Sequence, residues 1–131
     1  MENRRQTYRH SFDPQEALRA ELTVPGQRAA LACVLLNLSL GGVRVQLRQQ
    51  PESLRIGDTV VFRLLGRNDP APVELTSALR SQVVYLRQHG DDWHCGLRFL
   101  PSADPRANEQ TERALSNFLL AEQRRKRRKQ D

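Results

Sequence analysis

The chain has 131 residues, of which 38% are hydrophobic, and this fits one domain with a core of its own. No apolar run is long enough to cross a membrane, and the polar start lacks the apolar stretch of a signal peptide. We therefore expect a cytoplasmic protein without membrane insertion. The formal net charge is +6, but the basic run at 124–129 accounts for it. The rest of the chain is close to neutral, so the charge alone does not indicate a nucleic-acid-binding domain.

Residues 1–11 are polar and charged without an apolar period, which predicts a flexible N-terminal arm. Short alternating or apolar segments follow at 17–24, 29–36, 43–47, 59–65, 83–85 and 93–100. Turn signals separate several of them, at 25–26, 41–42, 57–58 and 90–92. Six or so short strands joined in this way favour a small antiparallel barrel or sandwich, and a barrel would leave no strand edge exposed.

The last part of the chain has a different composition, since residues 107–129 lack glycine and proline and are rich in helix formers. Asp104 followed by Pro105 is typical of a helix start. Leu115, Phe118 and Leu119 recur at helical spacing, so we expect this helix to pack on the strands and to end in a basic tail. The predicted organisation is an arm at 1–11, a β-domain at 12–103, and a helix with its tail at 104–131.

The sequence contains no recognisable catalytic or metal-binding pattern. The three histidines, His10, His89 and His94, are scattered, and no Ser/His/Asp order or phosphate-binding glycine loop accompanies them. Cys33 and Cys95 stand in apolar, strand-like sequence and are expected to be buried free thiols. We therefore expect that the protein is not an enzyme and that it has no catalytic residues, bound metal or cofactor.

Two stretches remain that could carry a function, Arg5-Gln-Thr-Tyr-Arg9 and Asn37-Leu-Ser-Leu-Gly-Gly42. Taken separately, the first is a solvated basic segment and the second is a turn, in which asparagine and serine bond the backbone and glycine supplies a positive φ. In this order and spacing, the chain resembles the PilZ domain family, whose pattern is RxxxR followed by D/NxSxxG after the second strand. The resemblance extends to a late Gly-Leu-Arg-Phe strand at 96–99 and to the C-terminal helix.

The resemblance implies a mainly β fold, a six-stranded antiparallel β-barrel with a C-terminal α-helix, that binds the bacterial second messenger cyclic di-GMP. An arginine fork meets the O6 and N7 atoms of guanine bidentately, and guanidinium groups also stack on bases and pair with phosphate. The candidate ligand-binding residues are Arg4, Arg5, Arg9, Asn37, Ser39, Gly41 and Gly42. Three further candidates are Arg44, Tyr85 and Arg87.

Two residues affect the expected strength and stoichiometry of ligand binding. Asn37 stands where many family members have aspartate, and a neutral amide accepts hydrogen bonds from guanine less strongly than a carboxylate does. Arg4 adds a third guanidinium before the motif, as in family members that bind a stacked pair of cyclic di-GMP molecules. Such a pair carries four phosphates, and the extra positive charge would offset their repulsion. We therefore expect two ligands per chain.

The expected function is therefore that of a stand-alone cyclic di-GMP receptor and adaptor. Binding would order the arm, and a downstream protein, which the sequence does not identify, would detect the changed surface. Motility, exopolysaccharide and virulence are possible processes by resemblance only. Two alternatives remain, a nucleic-acid-binding module led by the basic tail and a PilZ-like adaptor that binds proteins without any ligand. We expect cyclic di-GMP and a downstream protein as partners, and we do not expect nucleic acid.

Overall fold

The computed structural model describes residues 10–11, 18–27, 29–48, 51–52, 54–66 and 78–130. Its strands are β1 (His10–Ser11), β2 (Arg19–Thr23), β3 (Leu31–Leu38), β4 (Gly42–Leu47), β5 (Thr59–Gly66), β6 (Leu79–His89) and β7 (Asp92–Phe99). The helix α1 (Pro105–Gln130) follows them. All of the predicted strand segments coincide with observed strands, although their bounds differ by up to four residues.

Six of these strands close into a barrel. The neighbours run β3, β2, β5, β6, β7, β4, and β4 pairs again with β3, every pair being antiparallel. The predicted six-stranded antiparallel barrel with a C-terminal helix is confirmed. The two-residue strand β1 lies outside this ring and pairs with the end of β3, where Ser11 is opposite Asn37. His10 and Ser11 fall within the predicted arm, whose boundaries otherwise remain a prediction.

Alternating side chains from all six strands fill the barrel. Val45, Val60, Phe62 and Val83 are among the fully buried ones. The strand alternation recognised in the sequence thus separates an apolar inside from a polar outside. Closure of the ring matters for this small core, because it gives each of the six strands a paired neighbour on both sides.

Both thiols belong to this core, which confirms the prediction of buried free cysteines. Burial raises the pKa of the Cys95 thiol to about 12. The pKa of Cys33 is raised further, mainly by burial and secondarily by Cys95. Both side chains are therefore neutral thiols at physiological pH, and they behave as small apolar groups.

Helix α1 begins as the sequence predicts. The Asp104 carboxylate accepts a hydrogen bond from the backbone N–H of Arg106 at 3.0 Å, which caps the first turn, and Pro105 is the first helical residue. Leu115, Phe118 and Leu119 are buried, as their spacing indicates. Within the described part of the chain, no helix is long and apolar enough to span a bilayer.

Candidate ligand-binding cleft

A cleft of about 400 Å³ lies on the outer surface of the barrel, where the β3–β4 connection meets strands β6 and β7. It is lined by Asn37, Ser39, Gly41, Gly42, Val43, Arg44, Val84, Tyr85, Gly96, Leu97 and Arg98. Six of these residues were predicted from the sequence as ligand-binding candidates.

The β3–β4 connection forms one wall of the cleft, and hydrogen bonds to backbone groups fix its conformation. The Ser39 N–H donates to the Gly42 carbonyl at 2.9 Å, and the Ser39 hydroxyl accepts from the Gly41 N–H at 3.2 Å. The Phe99 N–H donates to the Gly41 carbonyl at 2.9 Å, which ties the connection to the end of β7. Ser39 is itself buried, so its hydroxyl fixes the shape of this wall.

The sequence predicts that the two glycines of this connection supply a positive φ, and this prediction is wrong. Among the described glycines, positive φ values occur at Gly26, Gly57 and Gly90. Gly42 is required for another reason, since a Cβ atom there would overlap the backbone carbonyl of Leu97 on β7. The close approach of two backbones therefore explains the glycine at this position.

A β-bulge turns Asn37 toward the cleft. Leu35 pairs with Val45 and Asn37 pairs with Arg44, so Leu36 is an extra residue on β3. Residues two apart in a regular strand share a face, and Leu35 is fully buried. Without the bulge, Asn37 would therefore face the core. With it, Asn37 stands on the outer face beside Arg44.

A second bulge does the same for Tyr85. Val83 pairs with Leu97 and Tyr85 pairs with Gly96, which leaves Val84 as the extra residue on β6. Val83 is fully buried, whereas Val84 is half exposed in the cleft. The bulge therefore brings Tyr85 to the outer face, and Arg87, two residues further along, lies on that face with it.

The floor of the cleft consists of two glycines and two arginines on adjacent strands. Gly42 on β4 is opposite Arg98 on β7, and Arg44 on β4 is opposite Gly96 on β7. The two glycines have no side chains that would fill the cleft, and both arginines are exposed at diagonally opposite corners of the floor. Arg98 also donates to the Gln82 side-chain oxygen at 2.6 Å, which orients its guanidinium.

Tyr85 is the aromatic group of this cleft. The guanidinium carbon of Arg44 lies 5.2 Å from the centre of its ring, and that of Arg87 lies 5.4 Å from it. Both distances are within the range of cation–π interactions. The cleft therefore combines flat cationic groups and an aromatic face, which suits a planar, anionic ligand.

A stacked pair of histidines adjoins the Arg87 side of the cleft. His94 is opposite Arg87, and its ring lies 4.1 Å from that of His89. Partial burial lowers the pKa of His94 below its ordinary value; His89 and Arg44 lower it further, and Asp92 opposes them. In the ranges that the structure describes, no three His, Cys, Asp or Glu side chains are grouped so as to hold a metal ion.

The structure thus brings together Asn37, Ser39, Gly41, Gly42, Arg44 and Tyr85, and it places Arg87 against the Tyr85 ring. Their binding role remains a prediction. Arg4, Arg5 and Arg9 lie outside the described residues. Sequence reasoning did not select Arg98, Val84 or Gly96 as site residues. The available signal was the late Gly-Leu-Arg-Phe strand, in which Arg98 alternates with two apolar residues and must therefore face outward.

Solved structures of other proteins have the same fold as this chain. The PilZ domain of YcgR from Escherichia coli, solved with c-di-GMP, is 21% identical with a TM-score of 0.75, and the match covers 98% of each chain. A structure of Escherichia coli YcgR in complex with c-di-GMP is 22% identical with a TM-score of 0.64, and the match covers 98% of this chain and 50% of that one. The inhibitor of motility MotI/DgrA from Bacillus subtilis is 16% identical with a TM-score of 0.64, over 93% of this chain and 52% of that one.

These identities establish a likeness of fold, and the chain spans about half the length of the latter two proteins. No curated protein sequence matches the chain. The family model of the PilZ domain matches residues 3–119. The barrel, the helix and this match over most of its length show that the chain belongs to the PilZ domain family.

Proposed function

We propose that the protein is a cyclic di-GMP receptor, a cytoplasmic binding module and not an enzyme. The observation that carries the proposal is the pairing of β1 with β3 at the cleft. Ser11 is opposite Asn37, and the arginine motif ends at Arg9, which is bonded to His10. β1, which directly follows the arginine motif in the sequence, thus lies beside the asparagine of the second motif, and this supports a single ligand for both halves of the family pattern.

The chemistry of the cleft supports this ligand. Cyclic di-GMP offers two guanines and two phosphates, and the cleft offers guanidinium groups from Arg44 and Arg98 with an aromatic face from Tyr85. The Asn37 side-chain oxygen is suited to accept from a guanine N–H, while Arg5 and Arg9 would meet the O6 and N7 edge or the phosphates. Solved PilZ domains of the same fold contain c-di-GMP.

The number of ligands is part of the proposal. Arg4, Arg5 and Arg9 carry three positive charges, whereas one cyclic di-GMP carries two negative charges. With Arg44 and Arg98 of the cleft the positive charges number five, and the four negative charges of two stacked molecules match them better than two do. We therefore expect two cyclic di-GMP molecules per chain at saturation, and we expect Arg4→Leu to shift the ratio toward one.

Signalling follows from the same arrangement. Binding would order the part of the predicted arm that precedes β1, across the barrel from the point where β1 contacts β3, and so change the outer surface. A downstream protein would bind that changed surface.

Calorimetry with cyclic di-GMP tests the proposal, because it gives affinity and stoichiometry together. We expect Arg5→Ala and Arg9→Ala each to weaken binding by about 1.5–3 kcal/mol, since each removes a hydrogen bond made by a charged group. Arg63→Ala is the matched control. Arg63 is an exposed arginine on β5 that lies 3.7 Å from Glu21, away from the cleft, and its loss should leave the affinity unchanged. Wild-type protein that does not bind cyclic di-GMP would refute the proposal.

The basic run at 124–129 favours one competing function, nucleic-acid binding. That function predicts an affinity for DNA or RNA that falls steeply with salt and survives the loss of Arg5 and Arg9. The same variants therefore separate the two functions.

A further inference from the structure

Gly96 occupies the centre of the outer face on which the cleft is built. It lies on β7 with Arg44 opposite it on β4 and Tyr85 opposite it on β6. The three residues thus form one row across three strands. Since neighbouring strands lie about 4.8 Å apart, the Cα atoms of Arg44 and Tyr85 are separated by roughly 10 Å.

The Arg44 side chain nevertheless reaches the Tyr85 ring, with its guanidinium carbon 5.2 Å from the ring centre. To do so it has to pass over the backbone of β7 at position 96. A Cβ atom built on Gly96 would lie 3.1 Å from Cβ and 3.2 Å from Cδ1 of Tyr85. The ring therefore already rests against the space in which a side chain of residue 96 would lie.

We propose that Gly96 is a positioning residue of the cleft: by presenting no side chain between Arg44 and Tyr85, it allows the guanidinium and the ring to pack across β7 as one flat platform for a nucleobase. The use of the platform by a nucleobase rests on the proposed binding of cyclic di-GMP. The packing of Arg44 on Tyr85 does not depend on it.

A glycine in the middle of a strand carries a stability cost, which favours a functional reason for its presence. It weakens the strand relative to other residues, and β-branched residues are preferred there. Gly96 is also on the outer face, where no core packing demands a small residue, and Tyr85 beside it is only half-buried. A valine at this position should therefore be accepted by the fold, with the Tyr85 ring rotated outward.

The first test needs no ligand. In the wild-type protein, the side-chain NMR signals of Arg44 should show a ring-current shift from Tyr85, and Tyr85→Leu should abolish it. We expect Gly96→Val to abolish the same shift, while the melting temperature is unchanged or raised. An Arg44 signal that keeps its shift in Gly96→Val would overturn the proposal. Gly96→Ala, which adds a single methyl group, provides a milder variant if the valine protein does not fold.

The second test measures affinity for cyclic di-GMP. Gly96→Val should weaken binding about fivefold to thirtyfold, the range expected from loss of a cation–π platform. Thr23→Val is the matched control, because it places the same side chain on the outer face of β2, and it should bind like the wild type. In a Tyr85→Leu background, Gly96→Val should cost less than twofold, since the platform is already lost.

Equal losses from Gly96→Val in both backgrounds would show that valine merely narrows the cleft, and would overturn the positioning role. Failure of the wild-type protein to bind cyclic di-GMP would refute the proposed function. The NMR result for Arg44 would still decide whether Gly96 positions the pair.

Discussion

Gly41 and Gly42 are neighbours in the chain but have different surroundings. A Cβ atom on Gly41 would meet nothing within 4 Å, whereas one on Gly42 would overlap the Leu97 carbonyl oxygen. Side-chain volume is therefore restricted at only one of the two. The family pattern itself ends at Gly42, and the contact with β7 gives a physical reason for that requirement.

We expect Gly42→Ala to lower the free energy of unfolding by about 1–3 kcal/mol, because β4 and β7 must separate to admit the methyl group. Gly41→Ala, its matched control, should change stability by less than about 0.5 kcal/mol. Urea unfolding of both variants beside the wild type measures the difference. Equal stabilities for the two variants would contradict the close approach at position 42.

The β6–β7 hairpin combines the aromatic group of the cleft with the stacked histidines. The pKa of His94 is lowered by burial first, then by His89 and Arg44, with Asp92 opposing them. Lowering the pKa means that the folded state favours the neutral imidazole, so the unfolded chain binds the proton more tightly. The stability contributed by this group is present above pH 6.5, its ordinary pKa, and is lost as the pH falls below that value.

We therefore expect the free energy of unfolding to decrease when the pH is lowered from about 7.5 to 5.5, and His94→Gln to flatten this decrease. Urea unfolding at several pH values measures the slope, and an NMR titration of the imidazole reports the pKa directly. An imidazole that titrates at or above pH 6.5 in the folded protein would contradict the expected sign.

Helix α1 connects the barrel to the basic end of the molecule. It has buried side chains up to Glu122 and continues to Gln130, roughly 12 Å further along its axis. The backbone of the basic residues thus continues the helix beyond Glu122. At physiological salt, charges separated by more than about 8 Å interact weakly.

We expect deletion of residues 124–131 to leave the affinity for cyclic di-GMP within about threefold of the wild-type value. The melting temperature should also be preserved, since Leu115, Phe118, Leu119 and Glu122 remain. Calorimetry at 150 mM salt, a typical physiological ionic strength, is the measurement. A larger loss of affinity would mean that the tail contributes to ligand binding, and it would strengthen the case for nucleic acid as a competing partner.

The sequence by itself determined the features that depend on near neighbours in the chain. Strand alternation, turn residues and the cap at Asp104 gave the elements, and the buried face of α1 followed from helical spacing. The two short motifs, taken in order, gave the family. Each of these signals is complete within a few residues, so no knowledge of tertiary pairing is needed to read it.

Only the tertiary structure decided how the cleft is built. Regular alternation would place Asn37 on the same face as Leu35, and Tyr85 on the same face as Val83; a bulge in each strand reverses this. The contact of Arg44 with Tyr85 across Gly96 depends on the register of three strands. Register and bulges are set by pairing between residues far apart in the chain and by the need to fill a closed barrel, and no local pattern specifies them.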